Sequence, residues 1–196
     1  TGTTHPLAQG QENDSAPSWS PDGRQIVFAR RQDKLSELYL INRDGSGLRK
    51  ISNHAPFSAY NPVWARKGNR IVYYLEKGDQ QDQIYLTDSQ GSFQKNLSAD
   101  TLHNIYPSWT PKGDILYVSK SELRLMNGEG ASRRVVAGIT TFFARVSRNG
   151  KKIAYFLKTD QGPQLMVQAF PNGKAKMLFD RTIYEQQAYR VMATPR

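Results

Sequence analysis

Three histidines, His5, His54 and His103, and 17 carboxylates are the groups of this 196-residue chain that could bind a metal or move a proton. A zinc or manganese centre gathers several imidazole and carboxylate ligands, and a His-x-His or His-x-x-x-His pair is the usual local trace of one. Neither pair occurs, so His54 and His103 are isolated candidates, and no metal or cofactor is expected. The absence of cysteine excludes thiolate nucleophiles, disulfides and iron-sulfur ligation. Gly-x-Ser-x-Gly, His-Glu-x-x-His and a phosphate-binding glycine loop are missing too. A Ser, His and Asp set assembled from distant loops leaves no local signature, and no serine stands out as its nucleophile. Asn42-Arg43-Asp44-Gly45 begins like a calcium loop but lacks the ligand series and closing Glu, so it reads as a hairpin turn. These residues do not point to an enzyme.

Binding is better represented. Asp14, Ser15 and Ala16; Tyr60 and Asn61; Asn104, Ile105 and Tyr106; and Phe142 and Phe143 form four short groups of acidic, amide and aromatic side chains. Each group lies three to five residues before a Trp, or before the Val that replaces it. Such side chains suit a peptide or a small polar ligand. Packing of a rim is the competing use of the same residues.

The elements that position these groups come from a repeat. Trp19, Trp64 and Trp109 are 45 residues apart, each with a proline two before and a glycine four after, at Gly23, Gly68 and Gly113. A fourth copy has Val146 and Gly150, and a degenerate fifth start stands at Tyr189-Arg190-Val191. After each glycine comes a β-branched and aromatic run: Ile26-Val-Phe28, Ile71-Val-Tyr73, Ile115-Leu-Tyr117 and Ile153-Ala-Tyr155. A polar loop leads to a third run, as in Leu38-Tyr-Leu40 and Ile84-Tyr-Leu86. A turn such as Asp44-Gly45 or Asn172-Gly173 then leads to a more polar fourth run ending near Ile51, Leu97, Val136 and Phe179. Short runs bounded by such turns are strands, and four per repeat make a propeller blade. The third copy is shortest because its loop between Val118 and Glu122 shrinks to a tight turn.

The chain is therefore read as all-β: a propeller of four-stranded antiparallel blades at about 16–53, 61–98, 106–137 and 143–180, with partial strands at 3–9 and 187–193. Residues 1–196 form one propeller domain or part of one. The second run of each copy is apolar on nearly every residue, as suits a strand covered on both faces by neighbouring blades. Trp19, Trp64 and Trp109 are expected to wedge between blades, and Gly23, Gly68, Gly113 and Gly150 to form the turns. The groups before each Trp should ring one mouth of the central channel, on the face that also carries the loops at 30–36, 77–82 and 158–163.

Net charge is +10, of which residues 1–100 contribute +1 and residues 101–196 contribute +9. No run exceeds two adjacent basic residues, and Arg133-Arg134 and Lys151-Lys152 are the dense spots of the second half. The bias suits an acidic protein partner. Aromatic residues sit mostly inside apolar runs, so no base-stacking platform or nucleic-acid role is expected. Apolar stretches such as Ile71–Leu75 are far shorter than the ~20 residues of a membrane helix. No export signal is read in Thr1–Gly10.

Pro17-Ser-Trp19-Ser-Pro-Asp-Gly23, then Gln25-Ile-Val-Phe28, Glu37-Leu-Tyr-Leu-Ile-Asn-Arg-Asp-Gly45 and Leu48-Arg-Lys-Ile-Ser52, resembles the TolB-type β-propeller repeat. The resemblance runs through the whole chain and is strongest in the first two copies; the Gly-His and Trp-Asp signatures of WD-type blades are absent. It implies about six blades in the parent fold, against four full copies here, so the ends are unfinished. Three arrangements follow: a piece of a larger propeller, a divergent four- or five-bladed ring with a composite blade, or pairing with another chain through open edges. The first two fit the sequence best. For function, the resemblance implies a non-enzymatic protein-binding or peptide-binding scaffold of the bacterial cell envelope, in the periplasm or otherwise extracytoplasmic. The alternatives are the gating propeller of a prolyl-oligopeptidase-like peptidase, the extracytoplasmic sensor of a membrane-bound regulator, or a carbohydrate lyase with a histidine-bound metal. The shared residues are structural, so no binding residue transfers by motif.

Overall fold

The computed structural model describes residues 6–8, 13–79, 81–138, 141–160, 162–171 and 173–179. Among the described residues, sixteen strands build four antiparallel sheets, each in sequence order. The first holds β1 (Asn13–Trp19), β2 (Gln25–Gln32), β3 (Leu35–Asn42) and β4 (Arg49–Lys50). The second holds β5 (Ser58–Trp64), β6 (Ile71–Glu76), β7 (Gln83–Thr87) and β8 (Lys95–Asn96). The third holds β9 (Asn104–Trp109), β10 (Ile115–Ser119), β11 (Glu122–Met126) and β12 (Arg134–Gly138). The fourth holds β13 (Thr141–Val146), β14 (Lys152–Thr159), β15 (Gly162–Ala169) and β16 (Lys176–Phe179). Among the described residues, no helix is long and apolar enough to cross a membrane.

The turn after each first strand shows why the glycine recurs. Gly23, Gly68, Gly113 and Gly150 have φ of 67°, 74°, 88° and 73°, in the left-handed region that glycine enters without steric cost. In the first blade, Ser20 Oγ accepts from the amides of Arg24 and Gln25 and donates to Asp22 Oδ1 at 2.6 Å, closing the turn through side chains. The tight loop of the third blade is a two-residue turn, with Lys120 and Ser121 at φ of 48° and 62°.

Packing between sheets repeats one joint. Trp64 lies against Val27, Ala29, Leu38 and Leu40 of the blade before it. Trp109 lies against Val72, Ile84 and Leu86, and its Nε1 donates to Val63 O at 3.0 Å. Val146 takes that place against Leu116, Val118, Leu123 and Leu125. Trp64 and Trp109 are thus 8% and 7% exposed, whereas Trp19 is 57% exposed and does not wedge between blades. The reason is directional: each Trp packs on the preceding blade, and no preceding blade lies among the described residues. A second contact also repeats. The turn of Gly91 passes over Ile51 O, and that of Gly130 over Leu97 O, so closely that a methyl group at Gly130 would sit 2.6 Å from the oxygen.

Pro6, Leu7 and Ala8 carry no strand pairing, but Leu7 O lies beside Gly45 as Ile51 O lies beside Gly91, at the outer edge of the first blade. The rest of the proposed partial strand, with His5, and the whole of 187–193 fall outside the described residues, as does Asn172.

Candidate functional site

Asp14, Tyr60, Asn61, Asn104, Tyr106, Phe142 and Phe143 stand in the first strands themselves, not in loops before them. Pairing with the second strand breaks in each blade, between Ser15 and Ser18, Tyr60 and Val63, Leu116 and Val118, and Phe142 and Arg145. These are β-bulges, which bend the strand and re-aim side chains. In the first three blades the residue before the proline takes the strain: Ala16, Asn61 and Tyr106 have φ of 51°, 48° and 53°. The Pro-x-Trp motif therefore marks a bulge that turns the residues before it out of the regular pleat. Phe142 and Phe143 are placed by backbone alone, in β13.

An aromatic run crosses two blades, through the regular cross-strand pairing of Tyr60 with Tyr74 and the bulge at Tyr106. The Tyr60 ring lies 5.6 Å from Tyr74 in β6, and Tyr74 lies 5.8 Å from Tyr106 in an edge contact at 78°. All three rings are half-buried. Burial, with Tyr106 beside it, pushes the Tyr74 phenol up, so the ring stays a neutral donor in the physiological range. Tyr74 is absent from the candidates because it sits inside an apolar run that reads as covered strand, though the ring is only half-buried.

Asp14 has a structural duty. Its carboxylate pairs in fork geometry with Arg30, at 2.7 Å to Nε and 2.8 Å to Nη2. The Arg30 side chain is 5% exposed and also lies 5.4 Å from the Phe28 and Tyr39 rings. A cation so buried requires its partner. Asn104 is fully buried and donates to Asp100 Oδ1 at 2.7 Å and to Leu102 O at 2.9 Å. Its Oδ1, and the hydroxyl of paired Ser119, have no hydrogen-bond partner among the described residues. At the preceding joint the same places hold apolar Ala59 and Leu75, so the second joint carries unspent polar capacity.

The histidines do different things. His54 Nε2 lies 2.7 Å from Tyr73 Oη, which donates onward to Gln94 Oε1 at 2.6 Å. The imidazole therefore donates from Nε2, and burial holds its pKa below the ordinary value against the opposing pull of Glu37. Glu37, missed in the sequence, accepts from Ser52 Oγ and from the His54 amide at 3.1 Å. In the second blade Ser98 Oγ donates to Gln83 Oε1 at 2.7 Å in the same way. The recurrence of Ile51-Ser52 and Leu97-Ser98 was the available signal for this network. His103 Nδ1 lies 3.2 Å from Asp82 Oδ2 without hydrogen-bond alignment. Among the described residues, no three His, Asp or Glu side chains converge as a metal site.

Two hydrogen bonds join neighbouring blades at the starts of their first strands. The amide of Asn104 donates to Asp82 O at 2.8 Å, and that of Ser36 to Ser58 Oγ at 3.1 Å, so the second loop of one blade adjoins the start of the next first strand.

Residues 1–132 match the family model described as the TolB beta propeller domain. Over 94 residues the chain is 27% identical to the Tol-Pal system protein TolB of Anaeromyxobacter dehalogenans, covering 48% of this chain and 21% of that protein. Over 80 residues it is 30% identical to an uncharacterized peptidase, YuxL, of Bacillus subtilis, covering 40% of this chain and 12% of that protein. The chain thus spans less than a quarter of either relative. Among solved structures, TolB from Acinetobacter baumannii superposes with a TM-score of 0.75 at 16% identity, over 88% of this chain and 45% of that one.

Proposed function

Since the chain belongs to the TolB β-propeller domain family, we propose that it is a non-enzymatic binding module that grips a peptide or protein segment at the channel mouth. The observation that carries this reading is the half-buried run Tyr60, Tyr74 and Tyr106, in which Tyr60 and Tyr74 are cross-strand neighbours and Tyr74 meets Tyr106 of the next blade edge to face. Aromatic rings with polar tips supply contact area at small entropic cost, as at protein interfaces generally. Similarity to a Tol-Pal system protein supports a setting in the bacterial envelope, on the periplasmic side.

The test is capture from an envelope extract by the purified chain beside a Tyr60→Ala, Tyr106→Ala variant of unchanged circular dichroism. One protein retained by the parent and lost by the variant is the expected result. Equal retention by both, or none at low salt by a folded chain, overturns the assignment of the channel mouth. A second reading, the gating propeller of a peptidase, is favoured by the similarity to YuxL. It expects a hydrolase domain in the same polypeptide and a propeller mouth whose variants change substrate size selection.

A further inference from the structure

At the opposite ends of the first strands from the tyrosine run, a cavity of about 430 Å³ opens between the second and third blades. It lies between the turn after β5 and the turn after β9, and Arg66, Lys67, Arg70, Lys112 and Trp109 line it. Its volume is within the range of about 300–1,000 Å³ typical of small-ligand sites. Arg70 is anchored: its guanidinium lies 5.2 Å from the Trp109 ring, bonds Gly128 O and pairs with Glu129 at 2.9 Å. Glu129 also pairs with Lys95 at 3.4 Å. Among the described residues, Arg66 makes only a long contact of 3.5 Å to Arg148 O. Among the described residues, no carboxylate pairs with Arg66, Lys67 or Lys112.

The repeat shows what these lysines displace. Asp22, Lys67, Lys112 and Asn149 hold the same place, one before the turn glycine. Asp22 accepts from Ser20 Oγ at 2.6 Å and from the Arg24 amide at 3.1 Å. Asn149 accepts from Ser147 Oγ at 2.8 Å and from the Lys151 amide at 3.1 Å. Both side chains are acceptors that close their own turns. A lysine ammonium has no acceptor and cannot do this. In the two middle blades the acceptor is given up, and both replacements line one cavity together with Arg66.

We propose that this cavity is a binding site for a small polyanion, one carrying two or more negative charges on phosphate or carboxylate groups. Three cations without acidic partners repel one another until an anion enters, and a guanidinium and ammonium groups on separate turns engage different oxygens of one ligand. The Trp109 edge and the anchored Arg70 supply a firm wall. This site is separate from the channel mouth, and neither depends on the other.

The test is calorimetric titration of the chain with pyrophosphate and with citrate, at low and at physiological salt. The test variant is Lys67→Asp, Lys112→Asp, which puts at both turns the residue that the first blade already accommodates as Asp22, so folding should survive. A control with the same change in charge, Lys34→Asp, Lys174→Asp, alters exposed lysines elsewhere. One-site binding of either anion, weakened roughly tenfold or more in the cavity variant and retained by the control, is the expected result. Pyrophosphate alone would identify phosphate as the recognised group, and citrate alone carboxylate. Binding of neither anion at low salt overturns the proposal, as does equal weakening in both variants or full retention by a cavity variant whose circular dichroism is unchanged.

Discussion

Three tryptophans in the same motif do two different jobs. Trp64 and Trp109 are interior side chains, and truncation of either to alanine should cost roughly 3–5 kcal/mol, read from urea unfolding midpoints. Trp19, more than half exposed, should cost less than about 1 kcal/mol when changed in the same way. A loss at Trp19 equal to the others would mean that something covers it in solution. His54 makes the chain sensitive to pH. Burial lowers its folded pKa, so the unfolded chain binds the proton more readily, and stability falls as pH drops below the unfolded value of about 6.5. Thermal melts from about pH 7 to 5 should show this decline, and His54→Gln should flatten it. The carboxylates held low by their turn serines, Asp22 and Asp44, act only at more acidic pH. A slope unchanged by His54→Gln would assign the loss elsewhere.

Among the elements, the bulged first strand and the turn that seats on the neighbouring blade carry the design. Gly91 and Gly78 both have positive φ, 69° and 71°, but only Gly91 lies against backbone, the carbonyl of Ile51. Gly78→Ala should therefore cost about 1 kcal/mol for the left-handed conformation alone. Gly91→Ala adds a collision with the adjacent blade and should cost roughly 3 kcal/mol. Equal costs in denaturant titrations would show that the turn can lift off its neighbour. Tyr60 and Tyr74 meet as cross-strand partners within the second blade, and Tyr106, at the bulge of the third, meets Tyr74 across the joint.

On the scale of the whole molecule, stability should be distributed as in other stacked repeats, where each unit depends on its neighbours. Among the described residues, the second and third blades are covered on both faces and the first and fourth on one. Amide exchange should be slowest in β6 and β10 and faster in β2 and β14. Uniform protection would point to cover over the outer faces. Charge also looks different at this scale. Arg133, one of the dense basic spots of the second half, is spent on Asp100 at 2.9 Å and on the carbonyls of Leu97 and Gly130. The cationic cavity instead draws three of its four cations, Arg66, Lys67 and Arg70, from the near-neutral first half.

Fold class, strand order within a blade and the glycine turns were legible in the chain because they rest on local chemistry repeated at a fixed interval. Apolar runs, positive-φ turn residues and a Trp every 45 residues need no knowledge of distant contacts. The candidate site was legible only in part. Tyr60, Asn61, Asn104 and Tyr106 were named from their place before the Trp, but their bulged strands, the junction through Tyr74 and the commitment of Asp14 to Arg30 depend on pairing with β2, β6 and β10. Exposure of Trp19 and convergence of Lys67 with Lys112 were beyond any local reading. Both depend on which blade lies beside which, and side chains of the same type at equivalent repeat positions acquire different roles once their neighbours differ.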